Sequence, residues 1–303
     1  MTHAGERADP ALRALIHEID PSARLISTQP LQGGISARIV ALDLVTATGP
    51  ASWVLRTLPV DPDLDAATEF RLMGWLAARA FPVPTALACL DAGPDRPRGA
   101  VLMTREPGAV IANPDGAQID ALAALLTQLH ALPTDGLDFL PPLCRYAMPS
   151  AWSDLDALGA NRSQLERLGA VAQRHAPRPT GPRVLGHGDF WVGNLLQRPD
   201  RGVLVLDWED AGLGDRLQDL AIARLELLWE CDARAMTRFT DAYLAQSPDP
   251  DLLRTGLPAW DLTMTLLRLS WLPAWGLPDA ITRTSLDLGV RHAEDAAARL
   301  TGS

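Results

Sequence analysis

The sequence predicts an α+β protein with two lobes, and three observations carry that prediction. Strand-like segments crowd the first third of the chain. Helical periodicity dominates the rest. A junction containing proline and glycine, Arg105-Glu106-Pro107-Gly108, separates the two regions. Strands followed by helices, rather than alternating with them, mark a segregated layout. The expected division is a β-rich N-terminal lobe at 1–105 and a mainly helical C-terminal lobe at 106–303. With 303 residues, either lobe can bury a core of its own.

Each element follows from local pattern. A short helix is expected at 11–19. Strands at 24–28 and 37–46 are rich in β-branched and aliphatic residues. Between them lies Gln32-Gly33-Gly34-Ile35-Ser36. Another strand is expected at 52–58, after a Thr-Gly-Pro turn. The helix at 65–79 is closed by Phe81-Pro82-Val83-Pro84, because a residue before proline is pushed out of the helical region. Strands near 86–91 and 100–104 complete the front third. The helix at 115–132 places Leu122, Leu125, Leu126 and Leu129 on one face, and a further helix is expected at 163–175. Short strands at 184–186, 195–197 and 203–206 surround the densest polar cluster. Everything after Arg216 reads as helix, interrupted at Pro248-Asp249-Pro250, Pro273 and Pro278.

Composition excludes several function classes. The mean hydropathy is +0.02 and 47% of residues are hydrophobic, as in an ordinary globular protein. No apolar run reaches the roughly 18–20 residues that span a bilayer. The first ten residues lack the apolar core of a secretion signal, so a cytoplasmic location is expected. A formal net charge of −10 argues against nucleic acid as a partner, since that affinity rests on a basic surface. Cys89, Cys144 and Cys231 are too scattered for a CxxC pair, and the six histidines show no metal-binding spacing. All 27 basic residues are arginine. Without lysine there is neither a lysine Schiff base nor a Walker A loop.

The strongest signal is Leu185-Gly186-His187-Gly188-Asp189-Phe190-Trp191-Val192-Gly193-Asn194, followed after a second strand by Val205-Leu206-Asp207-Trp208-Glu209. A strand delivers a turn bearing Asp189, an amide side chain follows at Asn194, and a later strand ends on Asp207. Phosphoryl transfer from ATP needs such groups: a carboxylate to orient an acceptor hydroxyl and take its proton, and hard oxygen ligands for Mg2+. Asp-x4-Asn with an aspartate at the end of a later strand is the catalytic-loop arrangement of protein kinases. Asp189 is therefore the candidate catalytic base, and Asn194 and Asp207 are the candidate metal ligands. Without lysine, arginine must hold the phosphates.

These motifs, together with Gly214-Asp215-x3-Asp219-Leu220-Ala221, resemble the aminoglycoside phosphotransferase family, which includes choline-kinase-like, homoserine-kinase-like and macrolide-kinase-like members. His-Gly-Asp in place of His-Arg-Asp, and Asp-Trp-Glu in place of Asp-Phe-Gly, favour that family over protein kinases. The resemblance implies a protein-kinase-like two-lobed fold, ATP and Mg2+ as cofactors, and phosphotransfer to an alcohol group. By the same resemblance Gly33, Gly34 and Ser36 belong to a loop covering the phosphates, and Arg56 reaches the α- and β-phosphates. Glu69 is the ion-pair partner of Arg56, and backbone groups from Met103 to Arg105 receive the adenine. His187 and Asp219 are expected to be structural, with Asp219 bonding the catalytic-loop backbone. Two departures stand out: arginine replaces lysine at position 56, and Ala37 replaces a common asparagine.

Two alternatives stay open at this stage. One is a nucleotide-binding pseudokinase with a regulatory role, against which the intact Asp189, Asn194 and Asp207 count. The other is a kinase acting on a protein, against which the missing Ala-Pro-Glu signature counts. The acceptor could be an aminoglycoside, a macrolide, an amino alcohol or a sugar-like molecule. Glu209, Asp210, Glu226, Glu230 and Asp232, with Trp229, Trp260, Trp271 and Trp275, would suit a cationic or sugar-like acceptor, but exposed acids and ordinary core tryptophans are the simpler reading. Oligomeric state is not legible in the sequence.

Overall fold

The computed structural model describes residues 10–31, 37–58, 65–92, 98–143, 148, 152, 155, 158–199 and 202–302. The chain forms two compact units, 1–109 with 196–209, and 110–195 with 210–303.

In the first unit, helix α1 (Pro10–Ile19) precedes strands β1 (Arg24–Pro30), β2 (Arg38–Thr46) and β3 (Gly49–Thr57). Helix α2 (Ala66–Ala77) and strands β4 (Ala86–Leu90) and β5 (Ala100–Thr104) follow. The strands form an antiparallel five-stranded sheet in the order β1-β2-β3-β5-β4. Side chains alternate between the faces of a strand, and β3 uses both. Trp53 packs with Leu42, Leu44 and Leu102 against Leu12, Leu15 and Ile16 of α1. Arg56, an odd number of positions away, points to the opposite face. Helix α2 lies on that face, starting at Asp65, whose carboxylate accepts from the Ala67 and Thr68 amides. Its buried positions Ala66, Glu69, Leu72, Met73 and Leu76 form one helical stripe. Glu69 is thus placed in the stripe by the same periodicity that buries the leucines. Strand β6 (Ala109–Val110), β8 (Leu195–Arg198) and β9 (Gly202–Val205) make a small sheet in the order β6-β8-β9.

The second unit contains α3 (Gly116–His130), α4 (Arg162–Arg174), β7 (Val184–Gly186), β10 (Gly212–Gly214), α5 (Arg216–Glu230), α6 (Ala233–Ala245), α7 (Pro250–Trp271) and α8 (Asp279–Thr301). Its core joins Leu262, Leu266 and Leu269 of α7 to Leu165 and Leu168 of α4 and to Leu286, Ala293 and Ala296 of α8. Burial of each such leucine is worth about 1.5–3 kcal/mol. Strands β7 and β10 pair antiparallel. Among the described residues no helix is long and apolar enough to cross a membrane.

The expected α+β class, with its β-rich beginning and helical remainder, is observed. The interruptions expected near 248–250, 273 and 278 fall where α7 begins and where a 3-10 turn (Leu272–Trp275) precedes α8. Some boundaries differ: β1 runs on to Pro30, and β3 begins at Gly49, inside the expected turn. The helix expected to run on from Arg216 stops at Cys231, and Asp232 starts α6 by accepting from the Arg234 and Ala235 amides.

Candidate active site

The candidate residues fall in both units, and each set has its own chemistry. In the first unit Arg56 is the hub. Its Nη1 donates to Glu69 Oε2 at 2.9 Å. Its Nη2 donates to Asp207 Oδ1 and, at 2.6 Å, to Glu209 Oε2. Glu69 also accepts from the Trp208 amide. Burial pushes the Glu69 carboxyl up, with the Arg56 guanidinium pulling the other way. Burial alone would lower the Arg56 pKa, but Glu69, Asp207 and Glu209 together raise it, so the guanidinium is permanently charged. The segment 206–209 is held in place by Trp208, which is buried, meets Phe81 edge-on at 5.8 Å, and donates from its indole to the Val205 carbonyl. Asp207 itself has φ +62°, a left-handed conformation that costs a non-glycine residue about 1–3 kcal/mol.

In the second unit the loop after β7 carries Asp189. Asp219, fully buried on α5, anchors it: Oδ2 accepts from the His187 amide at 2.7 Å and Oδ1 from the Gly188 amide at 2.8 Å. Behind Asp219, His130 Nε2 lies 3.1 Å from Oδ2, and His130 Nδ1 lies 2.6 Å from the Tyr243 hydroxyl. Burial would raise the Asp219 carboxyl, but hydrogen bonds from His130 and the His187 amide outweigh it and hold it below the usual range. Gly188 is required here: its φ is +82°, and a Cβ would sit 2.2 Å from the Asp210 carbonyl oxygen. The Asp189 amide donates to His187 Nδ1 at 3.2 Å, which makes that nitrogen an acceptor and places the proton of a neutral ring on Nε2.

Asn194 sits in a 3-10 turn (Val192–Asn194). Its Nδ2 donates to the Asp189 carbonyl and to Asp189 Oδ2, both at 2.9 Å. Both bonds use the nitrogen, and neither engages Oδ1. The other oxygen of Asp189, Oδ1, accepts from Arg268 Nη2. Arg268 Nη1 lies 3.7 Å from Glu226 Oε1. Burial pushes Glu226 up to about 7, against the pull of Arg268.

The structure thus brings Asp189 and Asn194 together, and separately Arg56, Glu69 and Asp207. Met103 lies within β5. The Thr104 and Arg105 amides donate to the Thr85 and Ser52 carbonyls. Gly33, Gly34 and Ser36 lie outside the described residues. Sequence reading missed Glu209 as a partner of Arg56, the His130–Tyr243 pair behind Asp219, and Arg268 on Asp189. Of the acidic and tryptophan-rich sector, Glu226 and Trp260 are buried, whereas Glu230 and Asp232 are exposed.

The donor set suits a metal–triphosphate. One guanidinium faces three carboxyl groups in the first unit, an excess of negative charge that a divalent cation would offset. The buried Arg56 Nε has no hydrogen-bond partner among the described residues, leaving a donor suited to a phosphate oxygen. Among the described residues no three His, Cys, Asp or Glu side chains cluster to hold a metal alone. Mg2+ commonly takes only one or two carboxylates and completes its shell with phosphates and water.

This fold and these two residue sets define a kinase-like phosphotransferase class. A model of the phosphotransferase enzyme family matches residues 27–254, and the chain belongs to that family. An aminoglycoside 3'-phosphotransferase from Escherichia coli is 31% identical over 142 residues, covering 44% of this chain and 51% of that protein. A thiamine kinase from Salmonella typhimurium is 31% identical over 155 residues, 50% of this chain and 52% of that protein. The chain spans about half the length of these curated relatives. The solved structure of a microcompartment-associated aminopropanol kinase matches with a TM-score of 0.67 at 18% identity, over 96% of this chain and 97% of that one. At that identity the match establishes the shared fold.

Proposed function

We propose that this chain is a small-molecule kinase that moves the γ-phosphoryl group of ATP, bound with Mg2+, to a hydroxyl of a small acceptor. The observation that carries the reading is the loop 187–194. Asp219 fixes its backbone, and Asn194 donates through Nδ2 to Asp189, keeping its own Oδ1 for a cation. Asp189 orients the acceptor hydroxyl and takes its proton as the oxygen attacks phosphorus. The Asn194 Oδ1 and the Asp207 carboxylate are each oxygen donors suited to the metal, which would supply charge neutralisation to the triphosphate. Arg56, held by Glu69, turns its guanidinium to the α- and β-phosphates, with Gly33, Gly34 and Ser36 in the covering loop. The adenine is assigned to backbone groups from Met103 to Arg105 other than the Thr104 and Arg105 amides, which donate to the Thr85 and Ser52 carbonyls. The barrier falls through in-line positioning and preorganised charge rather than covalent chemistry.

The acceptor proposed is a hydroxyl of a small nitrogen-bearing molecule. Aminoglycosides, thiamine and aminopropanol, the compounds that name the relatives and the structural neighbour, share that chemistry. The test is transfer of labelled γ-phosphate from ATP to aminoglycosides, thiamine, amino alcohols, macrolides and sugars, with the products identified by mass. Labelled acceptor supports the reading. A protein that binds ATP yet labels no acceptor and forms no ADP contradicts it.

A further inference from the structure

We propose that Arg268, in the last turn of α7, is a positioning residue for phosphotransfer: it fixes the Asp189 carboxylate in its working orientation and is itself fixed by Glu226. The inference rests on the reading of Asp189 as the base. It goes beyond the catalytic motif, because Arg268 lies 79 residues from Asp189 and on a different element.

The geometry carries the argument. Asp189 sits on a loop, and its side chain can rotate about two bonds. Asn194 reaches one carboxylate oxygen only, Oδ2. A carboxylate held at a single oxygen can still pivot. Arg268 supplies the second anchor by donating from Nη2 to Oδ1. Among the described residues each oxygen has one side-chain donor and keeps a lone pair for the acceptor proton. A guanidinium suits this task because its donors lie in one rigid plane.

Arg268 is in turn fixed on several sides. Its side chain is 11% exposed, Glu226 stands 3.7 Å from Nη1, and the rings of Trp271 and Trp275 lie 5.8 and 6.0 Å from its guanidinium carbon. A surface lid would be neither buried nor gripped by two carboxyl groups. The arrangement is that of a rigid support placed beside the reacting group, where a small displacement costs rate rather than affinity.

The experiment measures ATP turnover with the acceptor labelled in the panel above, and in parallel the slow hydrolysis of ATP by water. The proteins are wild type, Asp189→Ala, Arg268→Ala, Arg268→Lys and Arg268→Gln. A base displaced by about an ångström lowers the rate on the order of 10²-fold, so Arg268→Ala is expected to lose about that much in kcat. Acceptor KM and nucleotide Kd should stay within about threefold of wild type, since ground-state binding is untouched. Millimolar guanidinium should restore activity to Arg268→Ala by about tenfold while leaving wild type unchanged, because it refills the vacated site. Lysine should restore less, lacking the planar fork. Arg268→Gln, which keeps a donor and much of the bulk, replaces the alanine variant if that one fails to show a nucleotide-dependent rise in Tm. If Asp189→Ala is inactive but the folded Arg268 variant keeps its kcat within about threefold, or loses activity through acceptor KM alone, this inference is wrong and the kinase reading stands. If Asp189→Ala keeps the wild-type rate, both fall.

Discussion

Replacing Asp219 with asparagine keeps the size of a fully buried side chain but removes its charge and one acceptor. The carboxylate receives the His187 and Gly188 amides at 2.7 and 2.8 Å on different oxygens, and His130 at 3.1 Å. Asparagine has one acceptor oxygen, so one backbone amide must face its NH2 group. The variant loses a hydrogen bond to a charged group, about 1.5–3 kcal/mol, and leaves a buried donor unpaired, about 1–3 kcal/mol more. The expected destabilisation is therefore about 3–5 kcal/mol, a large share of the 5–15 kcal/mol typical of a folded protein. Urea denaturation at pH 7 measures it as a shift in midpoint at constant m. The folded-state carboxyl lies below its usual value of 3.8. Its contribution is then complete above about pH 4 and is lost as pH falls through the folded value, so the difference from wild type should narrow in acid. A loss below about 1 kcal/mol at pH 7 would refute the claim that Asp219 anchors the loop through charged hydrogen bonds.

Two further outcomes follow from the same unit. Glu226, pushed up from 4.5 to about 7 by burial, holds a proton more tightly folded than unfolded. Its stabilising effect is full below pH 4.5 and disappears as pH rises through about 7, so Glu226→Gln should exceed wild-type stability at pH 8 by up to about 3 kcal/mol and match it in acid. Denaturation midpoints at pH 5 and pH 8 check this, and an offset that does not change with pH would contradict it. Gly188→Ala forces a Cβ into the Asp210 carbonyl at an unfavourable positive φ, and should cost at least about 2 kcal/mol together with most of the turnover; wild-type midpoint and rate in that variant would show the loop free to shift.

Local signals make much of this fold legible in the sequence. Asp65 announces the start of α2, and Phe81-Pro82-Val83-Pro84 announces that it cannot continue. Asp189 and Asn194 are five residues apart, so sequence spacing alone links them. What escaped is carried by distant partners. Arg268 reaches Asp189 across 79 residues, and Tyr243 meets His130 across 113; no periodicity encodes such pairs, and an arginine at a helix end ordinarily reads as a partner of the helix dipole. Strand β10 covers only Gly212–Gly214, too short for alternation to register. The break at Cys231 contains neither proline nor glycine, and its one available signal was Asp232 as a helix cap.

The most direct test of the central claim is acceptor-dependent ADP formation by the purified protein with ATP and Mg2+, set beside Asp189→Ala under the same conditions and with nucleotide-induced stabilisation confirming that both are folded. Turnover that requires an acceptor hydroxyl and collapses by several orders of magnitude in Asp189→Ala is the predicted result. Equal rates in the two proteins, or nucleotide binding with no turnover on any acceptor, would contradict it.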